Sequence, residues 1–368
     1  MPILSSDIGS LPPRVEKGTL ELGASQTNTL LPLLKIKDEF EIFKEEIVNA
    51  QIDKLVVGLD VPTYPQFRDM NTMFFELLSG FEKDNDGYHR LEKIRDKGEG
   101  IPEISIIRQE SKKIAEKANL DSFNIKICIT GPYTLSSLFK GSRTIIIQEL
   151  GEALSNILRK SLFDTKYGRV EHVSVDEPVL GFLNDQLLDY GSEGRETLRE
   201  SWEKIFKSAS EFGASTSIHL HNTSDNLFWE TDNLNCIGSH ICDPLYTSES
   251  TLNRLYETDK KLIAPIALTQ FDDLISDYYR DKGIHEQLPE LIGKTWIDIK
   301  SGKIDPICFL ESKEKMENYL NKYIKFFGEE NIAYASPECG LSSFPGYKYT
   351  LKYLKRVSRT VNEFSSNN

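Results

Sequence analysis

The chain has 368 residues, 39% of them hydrophobic, and a formal net charge of −13 at pH 7. That length and apolar content suffice for one large core or two smaller ones. The negative balance argues against nucleic acid or an anionic membrane as a partner, because nothing offsets phosphate repulsion. No apolar run approaches the roughly 20 residues needed to span a bilayer. Met1-Pro2-Ile3-Leu4 runs at once into polar residues rather than a signal-peptide core, and five scattered cysteines form no Cys-x-x-Cys pair. Both features suit reduced thiols in a cytoplasm.

In chain order, short apolar runs predict strands at 7–10, 54–60, 125–131, 170–176, 215–221, 235–242, 261–269 and 331–336. Helical spacing lies between them. Ile36, Phe40, Phe43 and Ile47 recur on one face, as do Leu198, Trp202, Ile205, Ala209 and Phe212. Tyr347, Leu351, Leu354, Val357, Val361 and Phe364 form a closing helix. Strand followed by helix about eight times, with no low-complexity linker, predicts a single (β/α)8 TIM barrel over 1–368. A doubly wound open sheet competes, but no Gly-rich phosphate loop follows the first run. Residues 271–310, with His285 and Trp296, fit no strand–helix unit and predict a helical excursion.

Nearly every predicted strand ends in polar chemistry: Ile8-Gly9-Ser10, Asp60, Gly131-Pro132-Tyr133-Thr134, Asp176-Glu177-Pro178, His219-Leu220-His221, His240-Ile241-Cys242 and Cys339. A barrel would gather these on its C-terminal rim, where active sites of that fold lie. Singly, each has a plainer reading. A His-x-His pair on a strand can be hydrogen-bonded structure, an isolated cysteine a small buried hydrophobe, and Asp-Glu-Pro or Gly-Pro an ordinary turn. As a set, alternating histidines on one strand face and a cysteine from another strand end resemble zinc-ligand chemistry.

The order of these motifs resembles the C-terminal, catalytic half of cobalamin-independent methionine synthase, within the methionine synthase/uroporphyrinogen decarboxylase-like barrels. The resemblance spans nearly the whole chain, and Pro337-Glu338-Cys339-Gly340-Leu341 is its most specific part. It implies a rim zinc that takes homocysteine sulfur, with Cys339 and His219 as ligands. It also implies that Ile8, Gly9 and Ser10 hold the homocysteine carboxylate and that Asp176 holds its ammonium. A second family acid precedes an Arg-Asn-Asp-Met segment; here Phe67-Arg68-Asp69-Met70 keeps the Asp-Met, and Asp60 is the nearest acid upstream.

The departures are chemical. The family's His-x-Cys is His219-Leu220-His221 here, and its glutamate ligand falls on His240, with Cys242 as the alternative. Both replacements are good zinc ligands. Three neutral imidazoles and one thiolate leave the zinc site one positive charge in excess, where the family's set leaves one negative. Such a site favours a bound thiolate but makes its sulfur a poorer nucleophile. Leu138 stands where the family has a folate-stacking tryptophan, and nothing in these residues corresponds to the N-terminal half of the folate-dependent enzyme. The expectation is therefore a zinc-dependent methyltransferase making methionine from homocysteine, with a methyl-corrinoid or corrinoid protein as donor. The alternatives are transfer to another thiol such as coenzyme M, a non-catalytic paralogue, or a metallohydrolase.

Overall fold

The computed structural model describes residues 2–27, 38–182 and 185–367, so Ile36 of the second helical pattern lies outside them. Among the described residues ten strands form in chain order: β1 (Leu4–Ser5), β2 (Leu78–Asp84), β3 (Gly87–Asp96), β4 (Phe123–Thr130), β5 (Phe139–Lys140), β6 (Gly168–Glu177), β7 (Ser215–Leu220), β8 (Cys236–Gly238), β9 (Lys261–Ala267) and β10 (Ile332–Pro337). Seven make one curled parallel sheet in the order β1-β10-β9-β8-β7-β6-β4. Two isolated parallel bridges, Ser6 to Val61 and Thr63 to Lys126, attach residues 61–63 to both ends of that order.

Side chains alternate between the two faces of a strand. Ile125, Ile127 and Ile129 of β4 and Val173 and Val175 of β6 are fully buried, and the alternate positions Lys126, Cys128, His172 and Ser174 are buried too, so both faces of these strands are covered. Helices Arg143–Ser161 and Glu193–Phe212 pack beside each other, the second also against β6 and β7 and the first against β3, and Trp202 lies wholly within the core. Every strand of the sheet runs in one direction, so the polar residues at the ends of β4, β6, β7, β8 and β10 fall on one side of the molecule.

Three predicted elements are corrected. Residues 54–60 are not a strand: Lys54, Leu55 and Val56 end the helix Asp38–Val56, which stops before Gly58 at φ 94°. The run of β-branched residues looks strand-like, but Leu55 is buried and Val56 is 61% exposed, as on the last turn of a half-buried helix. Strand β1 precedes rather than contains residues 7–10, and β8 covers only Cys236–Gly238, so His240 and Cys242 share no strand face.

One addition was not read from the sequence. Strands β2 and β3 form an antiparallel hairpin around the two-residue turn Asn85-Asp86, and β5 adds to it. Its inner face is a ring cluster of Phe75, Phe81, Tyr88 and Phe139. Residues 271–310 are helical, as Phe271–Asp281 and Leu288–Lys300 followed by a short 3-10 turn. Among the described residues no helix is long and apolar enough to cross a membrane.

Candidate metal centre and amino-acid site

His219 is in β7, His221 lies one residue beyond its end, His240 sits in the turn after β8, and Cys339 follows β10. Their ligand atoms all lie within 4.8 Å of one another. The ring centroids of His221 and His240 are 4.3 Å apart, and Cys339 Sγ is 3.5 Å from His221 Nε2. His219 Nε2 and His240 Nε2 are buried with no hydrogen-bond partner among the described residues. Burial pushes the His219 imidazole well below its ordinary pKa and His221 down to about 4, and it pushes the Cys339 thiol up to about 12. Neutral imidazoles with unused, converging nitrogens are what a metal ion takes, and leaving such buried atoms unpaired costs free energy. The donor set of three imidazoles and one sulfur fits zinc.

Cys242 is exposed and stands outside this cluster, whereas His240 lies within it. Two carboxylates that sequence reasoning passed over hold the cluster's loops. Asp243 accepts from Thr223 N at 3.1 Å, from the Thr223 hydroxyl and from Leu245 N at 2.8 Å, tying the His221 loop to the His240 turn. Glu338 accepts from Ile241 N at 3.0 Å and Thr269 N at 3.3 Å, while burial raises its pKa to about 7. Their acid-plus-turn contexts, Cys-Asp-Pro and Pro-Glu-Cys, were the available signals.

The residues expected to hold an amino acid adjoin the cluster. Leu341 N donates to Ser10 O at 2.9 Å, and a side chain on Gly340 would overlap Ser10 Oγ as that hydroxyl now lies, which sets the Ser10 side chain directly against the Cys339–Gly340 turn. Gly9 has φ 118°, a conformation that requires glycine. Asp176, next to last in β6, is level with His219 and accepts from Ser174 Oγ at 2.7 Å. Burial raises its pKa to about 6, against the opposing pull of Ser174 and the Lys126 charge. Glu177, beside it, faces the other way. It accepts from Tyr133 N (3.0 Å), Thr134 N (2.7 Å), Thr134 Oγ1 (2.6 Å) and Trp202 Nε1 (2.9 Å). The Asp-Glu-Pro and Gly-Pro-Tyr-Thr motifs are thus two halves of one buried joint.

Asp60 does not join the site. Thr63 is level with Lys126, which puts Asp60 level with Phe123 at the start of β4, the far end of the sheet. There its carboxylate accepts from Ser5 N at 2.8 Å and Ser5 Oγ at 2.6 Å. The strand segment it introduces ends instead at Gln66, which bridges to Ser10. Gln66 Nε2 donates to Tyr64 OH at 2.9 Å, and that hydroxyl donates to Cys128 O at 3.0 Å. The tyrosine proton being used, its oxygen can only accept from Gln66, so Gln66 Oε1 is turned toward Gly9.

Fold and cluster define an α/β protein with a curled parallel sheet and a three-histidine, one-cysteine centre beside a glycine–serine loop. The chain is a distant relative of the methionine synthases. It is 21% identical over 346 residues to methionine synthase of Sulfolobus acidocaldarius, covering 88% of this chain and 83% of that one. It is 21% identical over 336 residues to methionine synthase of Sulfurisphaera tokodaii, covering 89% and 84%. Among solved structures it is similar to a B12-independent methionine synthase from Shewanella sp. W3-18-1 in complex with selenomethionine. That likeness has a TM-score of 0.61 at 14% identity over 100% of this chain and 99% of that one. No protein-family model matches the chain.

Proposed function

We propose that this protein transfers a methyl group to the thiol of homocysteine, giving methionine, at a zinc held by His219, His221, His240 and Cys339. The observation that carries this is the convergence of those four ligand atoms beside a loop and a carboxylate suited to an amino acid. Zinc, when bound, supplies positive charge that keeps a thiol deprotonated at neutral pH. Asp176 pairs with the substrate ammonium, with Gln66 Oε1 as a neutral second acceptor, while the Ile8–Ser10 loop takes the carboxylate. An ammonium-matched acid favours an amino-acid thiol over coenzyme M, which has no such charge. The sheet belongs to a single (β/α)8 barrel in this reading, residues 61–63 taking the eighth position through their bridges to Ser6 and Lys126.

Two readings part at the donor. Leu138, 38% exposed just after the Gly-Pro-Tyr-Thr turn, offers no aromatic platform for a pterin and favours a methyl-corrinoid. The B12-independent name of the Shewanella relative goes with a folate donor. The test assays methionine formation by zinc-loaded protein from methylcobalamin and from methyl-tetrahydrofolate, with zinc content measured in parallel. Methionine from either donor supports the transfer and selects the donor. Its absence with both, at full zinc occupancy, defeats the proposal, and protein that takes up no zinc is a binding paralogue.

A further inference from the structure

Behind the Ile8–Ser10 loop lies a buried ion pair that the chemistry above does not use. Lys54 reaches inward from the end of its helix and is fully enclosed. Its Nζ donates to Asp7 Oδ2 at 2.7 Å, Thr63 O at 2.9 Å and Gly9 O at 3.4 Å, which uses all three of its protons. Asp7 Oδ1 accepts from Thr63 N at 2.8 Å, and Thr63 Oγ1 donates to Asp7 O at 2.5 Å. Every bond of this network ends on residues 7–9 or on residue 63, the two segments that carry the loop.

The peptide between Gly9 and Ser10 is trans, so its carbonyl and its N–H point in opposite directions. Lys54 and Gln66 N, at 3.2 Å, hold the Gly9 carbonyl on the inner side. The Ser10 N–H is thereby turned outward, to the side where a Cβ on Gly340 would lie 3.6 Å from Ser10 N. Burial opposes the Lys54 charge, and Asp7 is the main group that offsets it. An apolar pair of the same shape would stabilise a core as well or better, so an ion pair here is better explained by the geometry it imposes.

We propose that Lys54 and Asp7 are positioning residues for substrate carboxylate recognition: together they fix the Gly9–Ser10 peptide so that its N–H meets the carboxylate of the amino-acid thiol. This rests on the thiol-methylation reading above. It assigns the pair to one end of the substrate and gives it no part in metal binding.

The test measures, by calorimetry on zinc-loaded protein, binding of homocysteine and of 3-aminopropane-1-thiol, which keeps the ammonium and thiol but lacks the carboxylate. Lys54→Met strands Asp7 and risks the fold, so Lys54→Met/Asp7→Asn, which leaves no lone charge, is the deciding variant. Its Kd for homocysteine is expected to rise about tenfold, the loss of one good hydrogen bond to a charged group. Its Kd for the aminothiol should stay within about twofold, with zinc stoichiometry unchanged. Equal loss for both thiols, or loss for neither, overturns the proposal. Wild-type protein that binds the aminothiol as tightly as homocysteine overturns it too. Wild-type protein that binds neither thiol overturns the methylation reading itself, and the positioning role with it, before any variant is made.

Discussion

Removing zinc should cost this protein a measurable part of its stability, and the cost follows from two atoms. His219 Nε2 and His240 Nε2 are buried without a partner among the described residues. Each such group costs about 1–3 kcal/mol when left unsatisfied, so satisfying both is worth about 2–6 kcal/mol. A metal that binds only the folded chain stabilises it by an amount that rises with free metal over its Kd. The assay is urea unfolding followed by tryptophan fluorescence, with excess zinc and with a chelator, for wild type and His219→Ala. Each protein is compared with its own zinc-free form, so the cavity left by the substitution cancels. Wild type should gain about 2–6 kcal/mol from zinc, and His219→Ala less than about 1 kcal/mol. A zinc increment equal in both proteins, or none in wild type, would refute the metal-centre assignment.

Cys339→Ala should lose zinc while Cys242→Ala keeps full stoichiometry, since only the former sulfur faces the histidines; elemental analysis after dialysis decides it. Asp60→Ala should lower unfolding free energy by about 1–3 kcal/mol through loss of its bonds to Ser5, yet leave homocysteine KM unchanged; a raised KM would return Asp60 to the site. Glu149 gives a pH test. Burial pushes its carboxyl up, but the Arg90 guanidinium and the Ile94 N–H outweigh that and hold it below the ordinary value. A depressed pKa contributes stability above the unfolded-state value, about 4.3, that is lost as pH falls through the folded one. Glu149→Gln should therefore be less stable than wild type at pH 7, with the gap closing below about pH 4; a gap that persists in acid would contradict the ion pair's role.

Much of the site was legible in the chain alone, where the determining pattern is local. The period of two along a strand puts His219 and His221 on one side, and a cysteine between a strand and a Gly-Leu turn marks a strand end. The strand–helix alternation likewise announced an α/β sheet. What failed was also local in appearance. Lys54-Leu55-Val56-Val57 has strand composition, yet it belongs largely to a helix, because tertiary burial of one face overrides a weak β preference. That His240 rather than Cys242 lies in the cluster, and that Asp60 lies away from it, depends on register between segments far apart in sequence. Cys339 meets His221 across 118 residues, and Asp60 meets Ser5 across 55. Sequence pattern determines which way a side chain faces its own strand. Only the packed sheet decides which strand ends share a level, and so which of the eligible side chains converge on one point.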